Sequence, residues 1–333
     1  MAKNHLDYLS KTTVIPATPA IPAIPTIPVA CVFAVLCIFF FLNASGCTET
    51  GVKDYTLPAN PLHEESPNSP SSESFPSSPE SSDAFGGENT SLEVVFCPRE
   101  KCRETLTAAL NTSRESIHCA FFELNLPEII SLLEKKSETQ DVKLVVDSLH
   151  YDHVHNLSFA RHDNRSALMH NKFCVIDQAT LTTGSFNPTE RGNFYNNNNL
   201  VVVSSSLLAQ NYEDEFQELW SGTFGKGSAT TNPGVSGKNQ GEDITLASYF
   251  CPEDSCADVV QEHIRQANHS INFMTFSFTL GPLATDLIIR HRANVSVRGI
   301  METRNADNRS VYNLLSYQGI EVMLDTNPYN MHH

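Results

Sequence analysis

Met169-His170-Asn171-Lys172-Phe173-Cys174-Val175-Ile176-Asp177, followed by Thr183-Gly184-Ser185-Phe186-Asn187-Pro188-Thr189, decides how this chain is read. Residues 173–176 are a short apolar run rich in β-branched side chains, the pattern of a buried strand. Side chains alternate along a strand, so His170 and Lys172 leave it on one side about 7 Å apart, a gap that one phosphate bridges. A histidine titrates near neutrality and serves as nucleophile or proton carrier, whereas a lysine is a fixed positive charge for phosphoryl oxygens. Asp177, past the strand end, is placed to orient an imidazole and to stabilise it when positive. Ser185 and Asn187 lie on a glycine-led turn and add neutral hydrogen bonds at the same mouth. Alone, an H-x-K is a surface strand end. With an aspartate seven positions after the histidine and G-S-x-N beginning fourteen after it, the set reads as a metal-free kit for attacking a phosphodiester.

These motifs, with the Asn196 to Asn199 run and Leu200-Val201-Val202-Val203 behind them, resemble the H-x-K-x4-D and G-S-x-N signature of the phospholipase D superfamily. Weaker flanking similarity carries the resemblance over residues 92–333. It implies an α/β, phospholipase D-like fold of two pseudo-repeated βα halves, with mixed sheets flanked by helices. It also implies chemistry without a cofactor. One motif histidine attacks phosphorus to give a phosphohistidine, while the other protonates the leaving alcohol and then activates water. On this chain His170 is the expected nucleophile and His332 the general acid. Lys172 clamps oxygens, Asp177 orients imidazole, and Ser185 and Asn187 support them.

His332 enters through an internal repeat. Phe96-Cys97-Pro98 with Cys102 recurs 154 residues later as Phe250-Cys251-Pro252 with Cys256, and Ser116-Ile117 recurs as Ser270-Ile271 at the same offset. The strand-like stretch 142–146 corresponds to 295–300, and Met169-His170 to Met331-His332. The second half is therefore expected to be cut at its motif histidine, without that motif's lysine, aspartate and G-S-x-N. A homodimer in which a second copy completes the site across a two-fold axis is the alternative. Against it, the partial second half already occupies that position.

The front of the chain reads differently. Prolines recur about every three residues over 14–28, which favours extended polyproline-like backbone over helix. Residues 29–42 are fourteen apolar residues without a charge, short of the roughly 20 a spanning helix needs and close to the core of a secretory signal. The small residues before Cys47 resemble a lipoprotein cleavage box, so a lipidated Cys47, an uncleaved anchor, a plain cleaved signal and a buried hydrophobic segment all remain open. Residues 48–91 are rich in Ser, Pro and Glu with little to bury, the composition of a disordered tether. The expected organisation is a leader over 1–47, this tether over 48–91, repeat one over 92–222, a Gly/Ser/Asn linker over 223–243 and repeat two over 244–333.

The whole chain carries a net charge of −16 at pH 7. Residues 92–333 alone carry 29 acidic and 19 basic residues. A surface this acidic lacks the general positive field behind most non-specific nucleic-acid affinity. Together with the leader it points to a phospholipid membrane as partner, to a location on a membrane or outside it, and to phospholipid head-group esters as substrate. A nuclease built on the same motif is the runner-up, and an inactive remnant or binding module stands beside both.

In the first half, strands are expected over 92–96, 117–122, 142–146 and 200–203 and helices over 99–112, 127–136 and 207–220. The second repeats the order: strands over 244–250, 271–276, 295–300 and 320–324, helices over 257–267, 283–291 and 308–317. Such alternation argues for layered α/β architecture. One departure stands out. The segment before His170 is eight residues shorter than its counterpart before His332 and lacks an obvious strand. It is rich in histidine instead (His150, His153, His155, His162), but the spacing fits no usual ligand set and no metal is expected. Cys97 with Cys102, and Cys251 with Cys256, are close enough for local disulfides in an exported domain, with free thiols or a shared zinc as alternatives. Cys119 and Cys174 lie on apolar strands and read as small buried hydrophobes.

Overall fold

The computed structural model describes residues 88–333. The leader with Cys47, and the tether up to residue 87, lie outside the described residues. In chain order the first part contains β1 Glu88–Asn89, β2 Ser91–Cys97, α1 Cys102–Asn111, β3 Ser116–Phe121, α2 Pro127–Ser137 and β4 Asp141–Val146. A 3-10 turn over Ser148–His153 follows, then β5 Ala160–His162, β6 Lys172–Ile176, β7 Thr180–Gly184, α3 Glu190–Phe194, β8 Asn198–Ser204 and α4 Ser206–Ser221. The second part contains β9 Gly234–Asn239, β10 Glu242–Ala247, α5 Cys256–Gln266, β11 Ser270–Thr275, α6 Gly281–Arg292 and β12 Ser296–Met301. It ends with a 3-10 turn Thr303–Asn305, α7 Tyr312–Tyr317 and β13 Glu321–Leu324.

Seven strands of the first half form one mixed sheet in the order β2-β8-β7-β6-β3-β4-β5. β3, β4 and β5 run parallel, while the β6 side is antiparallel. All five residues of β6 are buried because both faces of the sheet are covered. On one face Cys174, Ile176, Ile117 and Leu144 pack with Leu106, Ile129 and Leu133 of α1 and α2. On the other, Phe173, Val175 and Leu181 pack with Leu208, Tyr212 and Phe216 of α4. Alternation thus splits each strand between two cores. Phe216 and its neighbours face the core, as their helical spacing predicts.

The second half holds a smaller, all-parallel sheet, β11-β12-β13, packed on Leu287, Ile288 and Leu315 of α6 and α7. Its element order follows the first half: β3, β4 and β5 correspond to β11, β12 and β13.

Four expectations need correction. The linker over 223–243 contains β9 and the start of β10, whose Val235 and Leu246 are buried against the α4 face of the first core. The end of the tether is strand too, since β1 pairs with β9. The segment before His170 does contain the missing strand: β5 pairs with β4 as β13 pairs with β12, although it is only three residues long. Cys119 and Cys174 are not separate apolar residues but a disulfide. They face each other directly across the antiparallel β3–β6 pair, with Cα atoms 4.1 Å apart, and a sequence cannot say which strands will be neighbours. The structure also joins Cys97 to Cys102 and Cys251 to Cys256.

Candidate active site

His170 sits just before β6, and Lys172 is that strand's first residue. Two backbone bonds fix the approach: Met169 N–H donates to Asp147 Oδ2 at 2.8 Å, and Phe122 N–H donates to the Asn171 carbonyl at 2.7 Å. Near the end of the chain the same bonds recur. Met331 N–H donates to Glu302 Oε2 at 2.6 Å, and Phe276 N–H donates to the His333 carbonyl at 2.8 Å. Asp147 directly follows β4 and Glu302 its counterpart β12, and each also caps a 3-10 turn, accepting from Leu149 N–H and Arg304 N–H respectively. A buried carboxylate at one place in each repeat therefore sets the backbone ahead of each histidine. Neither was singled out from sequence, though both fall one residue past a strand of the repeat, which is a readable signal.

The two histidines meet. Their ring centroids are 6.1 Å apart with planes nearly perpendicular. His332 is held across the halves by the asparagine run. Its N–H donates to the Asn197 carbonyl at 2.8 Å, Asn197 N–H donates to the Asn330 carbonyl at 2.8 Å, and Met331 bridges Asn197 in parallel. The His332 Nδ1 is 2.8 Å from Asn198 Oδ1, and Asn198 Nδ2 donates to the Gly192 carbonyl at 2.9 Å. That second bond leaves the amide oxygen as acceptor, so His332 carries its proton on Nδ1 and keeps the Nε2 lone pair. Asn198 was read only as part of a motif, not as an imidazole's partner.

Lys172 is buried, and its Nζ donates to the His170 carbonyl at 2.7 Å and lies 5.0 Å from the centre of the Phe122 ring. Burial pushes its ammonium well below the usual lysine range, while the charges of Asp147 and Glu123 work the other way. His170 is held down to about 2, first by burial and then by the Lys172 charge and His332. His332 is held down to about 3 by burial and Lys172, with a backbone bond to Ser185 opposing. Both shifts favour neutral imidazoles at pH 7, and an anion between them would favour their charged forms.

Ser185 and Asn187 follow Gly184, where the chain leaves β7 at φ 145. A Cβ on Gly184 would strike the Asn199 carbonyl oxygen, so the motif's glycine is a matter of close approach. Ser185 is locked to that neighbour, donating from its N–H to the Asn199 carbonyl at 3.1 Å and accepting from Asn199 N–H at 3.0 Å through Oγ. Its hydroxyl therefore anchors the strand that carries Asn198. Asn187 Oδ1 is buried with no hydrogen-bond partner among the described residues.

Asp177 is elsewhere. It ends β6 at the far side from His170 with φ 50, and its carboxylate accepts from the N–H groups of Arg114, Glu115 and Ser116, each at 2.8 Å. Although partial burial opposes them, those three donors hold it below the usual carboxylate range. The expectation that it orients an imidazole is corrected: the five steps from Lys172 along an extended strand carry it about 16 Å away.

Residues 106–220 match the family model described as cardiolipin synthase, PLD-like domain. The fold resembles phosphatidylserine synthase of Haemophilus influenzae Rd KW20 with a TM-score of 0.50 at 12% identity, over 72% of this chain and 74% of that one. The family-model match makes residues 106–220, which include His170, Lys172 and the Gly184 turn, a phospholipase D-like domain. The mitochondrial cardiolipin hydrolase of Xenopus tropicalis is 37% identical over 60 residues, 18% of this chain and 29% of the relative. The chain thus covers under a third of that curated relative's length. Nuc of Salmonella typhimurium is 25% identical over 40% of this chain and 95% of its own, with a TM-score of 0.37.

Proposed function

We propose that this protein is a phospholipase D-type phosphodiesterase that hydrolyses phospholipid head-group esters through a phosphohistidine. The observation that carries the reading is the pair of imidazoles from two halves, ring centroids 6.1 Å apart, with the buried Lys172 bonded to the His170 carbonyl. A phosphodiester anion seated there meets a nucleophile on one side and a proton carrier on the other. An imidazole nitrogen of His170 attacks phosphorus, and the P–O bond to the alcohol breaks as His332 delivers a proton to that oxygen. His332 then takes a proton from water, the hydroxide attacks phosphorus, and the P–N bond breaks to release His170. The substrate's negative charge and the Ser185 backbone bond favour protonated His332 at the start, whereas at His170 the nearby charges named above all oppose protonation. Lys172 and Asn187 supply charge and hydrogen bonding to the phosphoryl oxygens.

The substrate class is supported by the acidic surface, by the cardiolipin-hydrolase relative and by exposed aromatic side chains near the mouth. The Phe96 ring lies 6.3 Å from that of His333, tilted by 58°, and Tyr195 lies 4.5 Å from Tyr329. The same reading puts the protein on a membrane, held by residues 1–47. Among the described residues no helix is long and apolar enough to cross one. The test is head-group release from vesicles of phosphatidylcholine or cardiolipin, beside cleavage of a DNA oligonucleotide. Lipid turnover by wild type and none by His170→Ala is expected. Cleavage of DNA alone, or equal rates for both proteins on lipid, would overturn the proposal.

A further inference from the structure

Beyond the histidine pair the fold assembles a second cluster that the sequence did not connect. Glu123 lies two residues past β3, and opposite it runs the 3-10 turn Ser148–His153. In 3-10 geometry residues three apart eclipse, so His150 and His153 present their rings to one side. The rings stack with centroids 6.4 Å apart and planes 10° apart. One ligand atom from each of Glu123, His150 and His153 lies within 4.8 Å of the other two. The Glu123 Oε1 to His150 Nδ1 separation of 3.9 Å is too long for a hydrogen bond. Of the other histidines in this segment, His155 Nδ1 lies 2.9 Å from the Asp152 carbonyl oxygen and His162 Nδ1 2.6 Å from that of Asp163, so each is already engaged.

We propose that Glu123, His150 and His153 bind one divalent transition-metal ion of the zinc type, leaving a fourth position to water. Two imidazoles and one carboxylate suit a borderline-soft cation better than magnesium or calcium, which favour all-oxygen shells. Tetrahedral ligands about 2.1 Å from zinc stand roughly 3.3 Å from one another, so closing this triangle needs only about 1 Å of side-chain motion. The ion would tie the 3-10 turn to the end of β3. It would lie outside the reacting groups, because Phe122 stands between, its ring 4.7 Å from both His150 and His170.

The test is titration of chelator-stripped protein with zinc chloride, followed by calorimetry and by thermal unfolding. Wild type is expected to take up one ion through this cluster and to melt at higher temperature with zinc present. His150→Ala/His153→Ala is expected to lose that ion and the rise in melting temperature, while His155→Ala/His162→Ala keeps both. Since His153 is exposed, His153→Ala alone should fold normally, with binding weakened at least tenfold. Absence of zinc binding by wild type, undiminished binding by the His150/His153 variants, or loss in the His155/His162 variant would overturn the site. None of these readouts depends on turnover, so they fail or succeed apart from the proposed phosphodiesterase activity.

Discussion

In the first half β3 lies between β4 and β6, and all six of its residues are buried. β11, 154 residues later, is an edge strand paired with β12 alone, and its residues alternate between exposed and half-buried. Yet the histidine that each half brings to the site is set up alike, by a carboxylate just after β4 or β12 and a backbone bond just after β3 or β11. The difference lies in what completes the job. His170 leads directly into a strand of its own sheet, whereas His332 is fixed by Asn197 and Asn198 of the other half. The site is a joint product: the second half delivers an imidazole that the first half holds.

The largest test of that asymmetry is whether both imidazoles are equally required. His332→Ala should reduce turnover as severely as His170→Ala, by about 10³-fold or more, because acid and nucleophile serve one reaction. A variant at His332 that keeps near-normal rates would reduce the second half to scaffold. Asn198→Ala removes the acceptor for His332 Nδ1 together with the amide's bond to the Gly192 carbonyl, and the loss of the first predicts a fall of roughly 10- to 100-fold in kcat. An unchanged rate there would mean that the asparagine run does not hold the ring.

The halves should also differ in stability at matched positions. Ile117→Ala, at a fully buried site in β3, should cost about 2–5 kcal/mol in denaturant unfolding. Ile271→Ala, its counterpart in β11, should cost about 1 kcal/mol because the side chain is only half-buried. Equal costs would show that β11 is covered in solution as β3 is here. The smallest expected effect on rate is that of Asp177→Ala. Its three backbone donors predict about 1–2 kcal/mol of lost stability and a rate within twofold of wild type. A large drop in kcat with intact stability would restore its imidazole-orienting role.

Much of this was legible because repeats and periodicity report local structure. The run 173–176 reads as a buried strand from its composition, and the internal repeat makes His332 the counterpart of His170, at an offset that has grown from 154 to 162 residues. What was missed depends on neighbours in space. The partners of Asp177 are 61 to 63 residues away, the Cys119–Cys174 bond needs β3 and β6 to be adjacent, and Glu123 joins His150 only after β4 intervenes. The three-residue β5 was overlooked for another reason: Ala160–His162 has only one apolar residue, too few to show alternation.

The central claim is that His170 and His332 line one oxyanion site, and it can be tested without turnover. Protein labelled with ¹⁵N-histidine would be titrated with vanadate at pH 7 and the imidazole nitrogens followed by NMR. The account predicts that both rings shift along a single binding curve, moving toward the protonated form as the anion offsets their burial. A shift of one ring alone, or two curves with different midpoints, would contradict it.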